Sequence, residues 1–246
     1  MTGPGKKLST SEPVGELRSI PIVECGEPLV DFLELCPKLI WDKPRFAYRR
    51  ETLARKGVAE MLCKASELLP KGLRLAIVEG WRPPHIQKRM LIFAERRLQE
   101  LHPDWGPVQL KRMRNRFTAP IDSRVPPPHS TGGAVDLRLV RDDGAPLDHY
   151  SPYPNRDTRS YAFDAPGLSD EARRTRSILK EALEGSGMTN YPAEYWHWTY
   201  GDQGWAYRGR HAHAIYGAIV PDGWEPAAAD VSDDPLVWVY EDKESA

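Results

Sequence analysis

No stretch of this 246-residue chain approaches the run of roughly 18 apolar residues that a membrane-spanning helix needs. The first 20 residues, MTGPGKKLSTSEPVGELRSI, lack the apolar run of a signal peptide, so the sequence predicts a soluble, cytoplasmic chain. Cysteine is scarce. Cys25, Cys36 and Cys63 are odd in number and have no CxxC spacing, which excludes a disulfide framework and a thiolate zinc ribbon. They read as reduced thiols that serve as small core residues. An excess of one charge is also missing: 34 basic residues face 35 acidic ones, for a net charge of -1. That balance gives no bulk reason to expect nucleic acid or an anionic membrane as partner, and it is silent on oligomeric state. Internal repeats are absent.

What is present is enough apolar material for one large domain: 40% hydrophobic residues and eight tryptophans. Residues 1–15, rich in Gly, Ser, Pro and Lys, read as a flexible tail, 16–225 as the folded domain and 226–246 as an acidic C-terminal tail with one apolar patch from Leu236 to Tyr240. Between Glu51 and Leu69 the positions Leu53, Val58, Leu62, Ala65 and Leu69 recur at helical spacing, and Pro70 and Gly72 end the pattern. Leu73 to Val78 alternates as a strand. Pro83 and Pro84 open a helix to about Leu101. Residues 103–128 hold six prolines and little periodicity and read as a long connection. Ala134 to Val140 reads as a strand, 141–168 as a polar loop over a site. Ser169 caps a third helix, with Asp170 and Glu171 in its first turn and Gly185 and Gly187 at its end. Glu194 to Tyr200 reads as an aromatic strand. The expected class is α+β: a single domain with a small, mainly antiparallel sheet flanked by helices.

Two segments concentrate metal-ligand types. One is Pro128-His129-Ser130-Thr131-Gly132-Gly133-Ala134-Val135-Asp136, the other Glu194-Tyr195-Trp196-His197. Catalytic zinc commonly takes three histidine or carboxylate ligands and leaves a position for water. Gly132 and Gly133 let the chain turn between His129 and Asp136. Strict alternation on a strand would put Glu194 and His197 on opposite faces. Both reach one site only if the segment bends, and a bulge is the expected device. The spacing HxxxxxxD alone is less specific than HExxH.

The segment from His129 to Leu137 resembles the SxHxxGxAxD signature of the D-alanyl-D-alanine metallopeptidases, and Glu194-Tyr-Trp-His197 resembles their ExWH signature. Glu79-Gly80-Trp81-Arg82-Pro83 is similar to the DGYRP motif of the VanX-type dipeptidases, and Trp41-Asp42 and Gly57-Val58-Ala59-Glu60 also fit that branch. The resemblance implies one zinc per chain on His129, Asp136 and His197. It implies Glu194 as general base and Arg82 as the group that steadies the oxyanion. Trp196 is then expected as pocket wall, and Trp81 and Trp198 as core. His85, His102, His149, His211 and His213 are left as ordinary polar residues.

The departures from that branch fall around the substrate. A serine expected shortly before the first ligand is replaced by Pro126-Pro127-Pro128, and Lys38 stands where a pocket tyrosine is expected. The aspartate that meets the substrate's amino group has no clear match in Leu147-Asp148-His149-Tyr150-Ser151-Pro152-Tyr153-Pro154-Asn155. Asp148 and Asp157 are the stand-ins, and Lys38, Asp148, Tyr150 and Trp196 form the expected substrate-binding set. The expected function is zinc-dependent hydrolysis of a small peptide or amide with an altered substrate pocket. A tailoring hydrolase of a peptide-like natural product is the alternative. A non-catalytic zinc module is disfavoured, because it would need neither Glu194 nor Arg82.

Overall fold

The apolar run that begins at Leu73 becomes the spine of the molecule. A computed structural model of the chain describes residues 13–122, 124–155 and 157–239. Strand β4 is preceded by α1 (Val14–Leu17), β1 (Leu29–Asp31), α2 (Phe32–Leu35), β2 (Ile40–Trp41), β3 (Leu53–Arg55) and α3 (Lys56–Leu68). β4 itself spans Leu73–Glu79. After it come α4 (Pro84–Leu101), α5 (Pro107–Phe117), β5 (Ala134–Arg141), α6 (Asp170–Ser186), β6 (Thr189–Asn190), β7 (His197–Thr199) and α7 (Gln203–Gly209). The five-stranded sheet has the order β2-β4-β5-β7-β6, and only the β2–β4 pair is parallel. β1 and β3 form a separate antiparallel ribbon. Leu62 of α3 and Leu179 of α6 pack with Leu75, Ile77, Leu137, Leu139 and Trp198 of the sheet into the main core. This is the α+β domain expected, with a mainly antiparallel sheet and helices beside it.

Local chemistry explains the helix limits. Ser169 Oγ accepts the Ala172 N–H at 3.0 Å, and Asp170 and Glu171 meet the positive end of α6. The helix stops at Gly187, whose φ of 112° closes it; Gly185 lies inside it rather than at its end. Pro84 opens α4, where a missing N–H costs nothing. Among its described residues, the loop 141–168 carries a short 3-10 turn at Thr158–Ser160. It is nailed down by the buried Arg176, which donates to the carbonyls of His149, Ser160, Ala162 and Phe163.

Three segments differ from the sequence expectation. The connection 103–128 contains α5, because its prolines sit outside the helix or at its first position, where they are tolerated. The aromatic strand shrinks to His197–Thr199, and the residues before it turn. The described part of the acidic C-terminal segment packs as a strap. Leu236 is buried with Phe46, Ile86 and Met90, and Val239 N–H donates to Arg45 O at 3.0 Å. Asp230 accepts the Arg49 N–H at 2.9 Å and lies 3.7 Å from Arg89. Residues 1–12 of the expected N-terminal tail and 240–246 of the C-terminal one fall outside the described residues. Among the described residues, no helix is long and apolar enough to cross a membrane.

Candidate active site

The site lies where three adjacent strands end together. In the sheet register Asp136 stands opposite His197 on one side and Glu79 on the other, beside an irregularity between Ile77 and Glu79. His129 arrives from the 3-10 turn Pro128–Thr131. That turn is left through Gly132, whose φ of 71° suits glycine; a Cβ there would lie 2.4 Å from Leu29 Cδ2. The Gly80 carbonyl can only accept, so His129 Nδ1, 2.9 Å away, carries the proton. Its Nε2 lone pair then faces Asp136 Oδ1 at 3.3 Å, and His197 Nδ1 lies 2.9 Å from the same oxygen. One ligand atom from each of the three residues falls within 4.8 Å of the others, and all three side chains are buried. Ligand atoms on a tetrahedral ion with bonds of about 2.0–2.1 Å sit about 3.3 Å apart, so this donor set fits such a metal.

Glu194 is not on a strand. It belongs to the turn before β7, where Glu194 N–H donates to Tyr191 O at 2.9 Å and His197 N–H donates back to Glu194 O at 3.2 Å. The turn, not a bulge, brings Glu194 and His197 to one cavity. Arg82 is buried and clamped: Nε donates to Glu79 Oε1 at 2.9 Å and Nη1 to Gln87 Oε1 at 2.8 Å. Gln87 is fixed in turn through Ala119 O at 2.7 Å, and Tyr48 donates to Glu79. Glu79, Arg82, His129, Asp136, Glu194, Trp196 and His197 all line one cavity of about 760 Å³.

A family model described as D-ala-D-ala dipeptidase matches residues 40–216. The chain belongs to this peptidase M15 family. Membership makes it a metallopeptidase, and so a hydrolase. Similar proteins include D-alanyl-D-alanine dipeptidases of Synechocystis sp., Escherichia coli and Enterococcus faecium. The first is 26% identical over 86% of this chain and 100% of the relative's length. The second is 26% identical over 66% of this chain and 73% of the relative's. The third is 29% identical over 59% and 72%, respectively.

Electrostatics in the peptidase's site follow from burial and pairing. Burial alone would raise the Asp136 carboxyl, but the adjacent His129, the Arg45 cation and the His197 hydrogen bond outweigh it and hold it well below the usual range. Burial lowers His129, helped by the nearby Arg82 cation, which favours the neutral imidazole a metal requires. Burial also opposes charge on His197, yet the Asp136 hydrogen bond prevails and raises it. Glu194 moves the other way from Asp136: desolvation pushes it up to about 7, against the pull of His197.

Of the expected substrate-binding residues, the structure brings only Trp196 into the cavity. Lys38 is a correction. Its backbone carbonyl accepts from Arg74 Nε at 2.8 Å, at the start of β4, whereas the site lies at the Glu79 end. The five residue steps from Arg74 to Glu79 span about 16 Å. The exposed Lys38 ammonium instead lies 4.0 Å from exposed Glu67. Asp148 and Tyr150 are also outside the cavity lining. Asp148 accepts the N–H groups of Tyr150 and Ser151 at 3.0 and 2.9 Å and the Ser169 hydroxyl at 3.1 Å, so it holds a turn. Asp157 likewise caps the Thr158–Ser160 turn. The lining residues from this loop are Asn155, Thr158 and Tyr161. Sequence reasoning missed Arg45, whose Nη1 lies 3.2 Å from Asp136 Oδ2 and whose guanidinium covers the Trp196 ring at 4.8 Å. It quoted Glu79 within a motif without giving it the task of holding Arg82. Gln87 and Tyr48 had no sequence signal at all.

Proposed function

We propose that the chain is a zinc-dependent dipeptidase or amidase acting on a small peptide or amide. The observation that carries this is the His129–Asp136–His197 cluster sharing one cavity with Glu194 and a clamped Arg82. One zinc per chain, held by those three residues, would supply Lewis acidity and a water of lowered pKa. Glu194 accepts the proton of the attacking water and passes it to the leaving amine. A carboxyl raised to about 7 is suited to both halves of that task near neutral pH. Arg82 faces the negative charge that develops on the carbonyl oxygen, and its fixed position needs no rearrangement. Trp196 forms wall beside the reacting groups. The three unpaired cysteines agree with a cytoplasmic location.

The relatives are named for D-alanyl-D-alanine, a dipeptide with a free ammonium. Burying an ammonium is costly without a carboxylate partner. Among the described residues of loop 141–168, those that line the cavity are neutral. Glu79 is engaged by Arg82 and Tyr48, Asp136 by His197 and Arg45, Asp202 accepts the Trp205 N–H at 2.7 Å, and Glu194 is taken by the proton transfer. This supports a pocket altered at the amino side of the substrate, without any part for Lys38. Zinc-loaded protein given D-alanyl-D-alanine and its N-acetyl form should release amine faster from the blocked peptide. No release from either, with zinc bound, would remove the hydrolase reading; faster cleavage of the free dipeptide would remove the altered pocket. A tailoring hydrolase for a peptide-like natural product is the second reading, favoured by a cavity of about 760 Å³.

A further inference from the structure

The cavity has two unlike ends. Near the metal-ligand cluster its walls are charged. Away from it apolar side chains predominate, Met90, Phe93 and Leu98 of α4, Met113 and Phe117 of α5, and Trp238 of the C-terminal strap, with Arg97, Glu100, Arg114 and Arg116 also in the lining. At about 100° per residue Met90, Phe93 and Leu98 spread over roughly 140° of α4, a broad face that also carries Arg97. That face meets α5 across the cavity rather than closing onto it: Phe93, Leu98, Met113 and Phe117 all remain partly exposed. A volume of about 760 Å³ falls in the range of about 300–1,000 Å³ that encloses drug-sized ligands, well beyond the needs of two alanines.

We propose that this apolar arm binds an acyl group on the amino side of the substrate, so that the peptidase acts on N-acylated dipeptides whose acyl chain is apolar. The inference rests on the hydrolase reading above and adds the chemistry of the blocking group. Two observations choose the occupant. Among the described residues of loop 141–168, the lining presents Asn155, Thr158 and Tyr161 and no carboxylate to meet an ammonium, so the amino nitrogen is better accommodated as an uncharged amide. The arm belongs to the same cavity, and its hydrocarbon and aromatic rings gain from displacing water by apolar surface.

The test is a chain-length series on the native, zinc-loaded protein. Uncleavable phosphinate analogues of D-alanyl-D-alanine carrying acetyl, butanoyl, hexanoyl or octanoyl groups are titrated by calorimetry, and the matching cleavable peptides are assayed for kcat/KM. Affinity and kcat/KM should both rise about fourfold per added methylene, the factor equal to about 0.8 kcal/mol, until the arm is filled. A series that is flat or falls with length overturns the arm. If the analogues tighten with length while no peptide is cut, the arm stands and the hydrolase reading fails. If all peptides are cut at rates independent of acyl length, the hydrolase reading stands and the arm fails. Phe93→Asp and, separately, Leu98→Gln should flatten the slope; a variant that keeps its melting temperature and the full slope counts against the arm.

Discussion

Glu194 and His149 are both buried ionisable groups, and burial moves them in opposite senses because it disfavours the charged form of each. Desolvation raises Glu194 to about 7. Exchange of Glu194 for Gln keeps the shape and removes the proposed proton acceptor. Turnover should fall about 10²–10⁴-fold, while zinc content measured by metal analysis stays at the native level; unchanged turnover would make Glu194 a bystander. His149 is lowered to about 4, with burial as the main cause. Its Nε2 accepts the Leu139 N–H at 3.2 Å and its Nδ1 faces Leu147 O at 2.9 Å, a pairing that only the neutral ring satisfies. Between about pH 6.5 and 4 the unfolded chain therefore binds a proton that the folded chain refuses. Stability from this residue is present above pH 6.5 and is lost as the pH falls toward 4. A shift of that size corresponds to about 3 kcal/mol. Denaturation curves from pH 7.5 to 4 should show the native protein weakening more steeply than a His149→Gln variant. Parallel curves would assign the acid sensitivity elsewhere.

At the scale of elements, the turn at Gly132 does most to place the site. It links His129 to the strand that carries Asp136, and its carbonyl accepts the Arg55 N–H at 2.9 Å, tying the β1–β3 ribbon to the same corner. Gly132→Ala adds a methyl where Leu29 Cδ2 already lies 2.4 Å away and forces a side chain into the left-handed region. The expected loss is about 1–3 kcal/mol of stability, accompanied by weaker metal retention because His129 moves; a melting curve and metal titration matching the native protein would show that the corner yields freely. Elements of this kind were largely legible. The periodicity of α3, the Ser169 cap and the alternation of β4 and β5 all express one local rule each, and the candidate ligand pair His129 and Asp136 rides on them. The failures came where local rules compete. Proline content hid α5, since composition does not reveal that Pro107 sits at a helix start. Strand-forming aromatics hid the turn at Tyr191–Trp196, which the Asn190 side chain stabilises by donating to Glu194 O and His197 O at 3.0 Å each. Lys38 was misplaced because sequence distance from a motif says nothing about which end of a strand a residue reaches. Arg45 and the strap around Leu236 depend on contacts between distant segments, so no window of sequence contains them.

For the molecule as a whole, the candidate metal site is a point where separate parts of the chain are tied together. His129, Asp136 and His197 come from a turn and two neighbouring strands, and Arg45, which leans on Asp136, is paired through its carbonyl with Val239 of the strap. A ligand that binds only the folded arrangement stabilises it in proportion to the logarithm of its concentration over its dissociation constant. At 100 times that constant the gain is about 2.7 kcal/mol. A domain of this size shifts its melting temperature by roughly 2–4 °C per kcal/mol. Stripping the protein with a chelator and restoring zinc should thus raise the melting temperature by roughly 5–10 °C. The increment should be smaller at low pH, because His197, raised by Asp136, holds a proton that a metal must displace. Asp136→Asn removes a ligand charge and should abolish the zinc-dependent shift. The decisive comparison is scanning calorimetry of stripped and zinc-replete protein, native and Asp136→Asn, at two pH values. A zinc shift of equal size in the native and substituted proteins would mean that the ion binds somewhere other than this cluster.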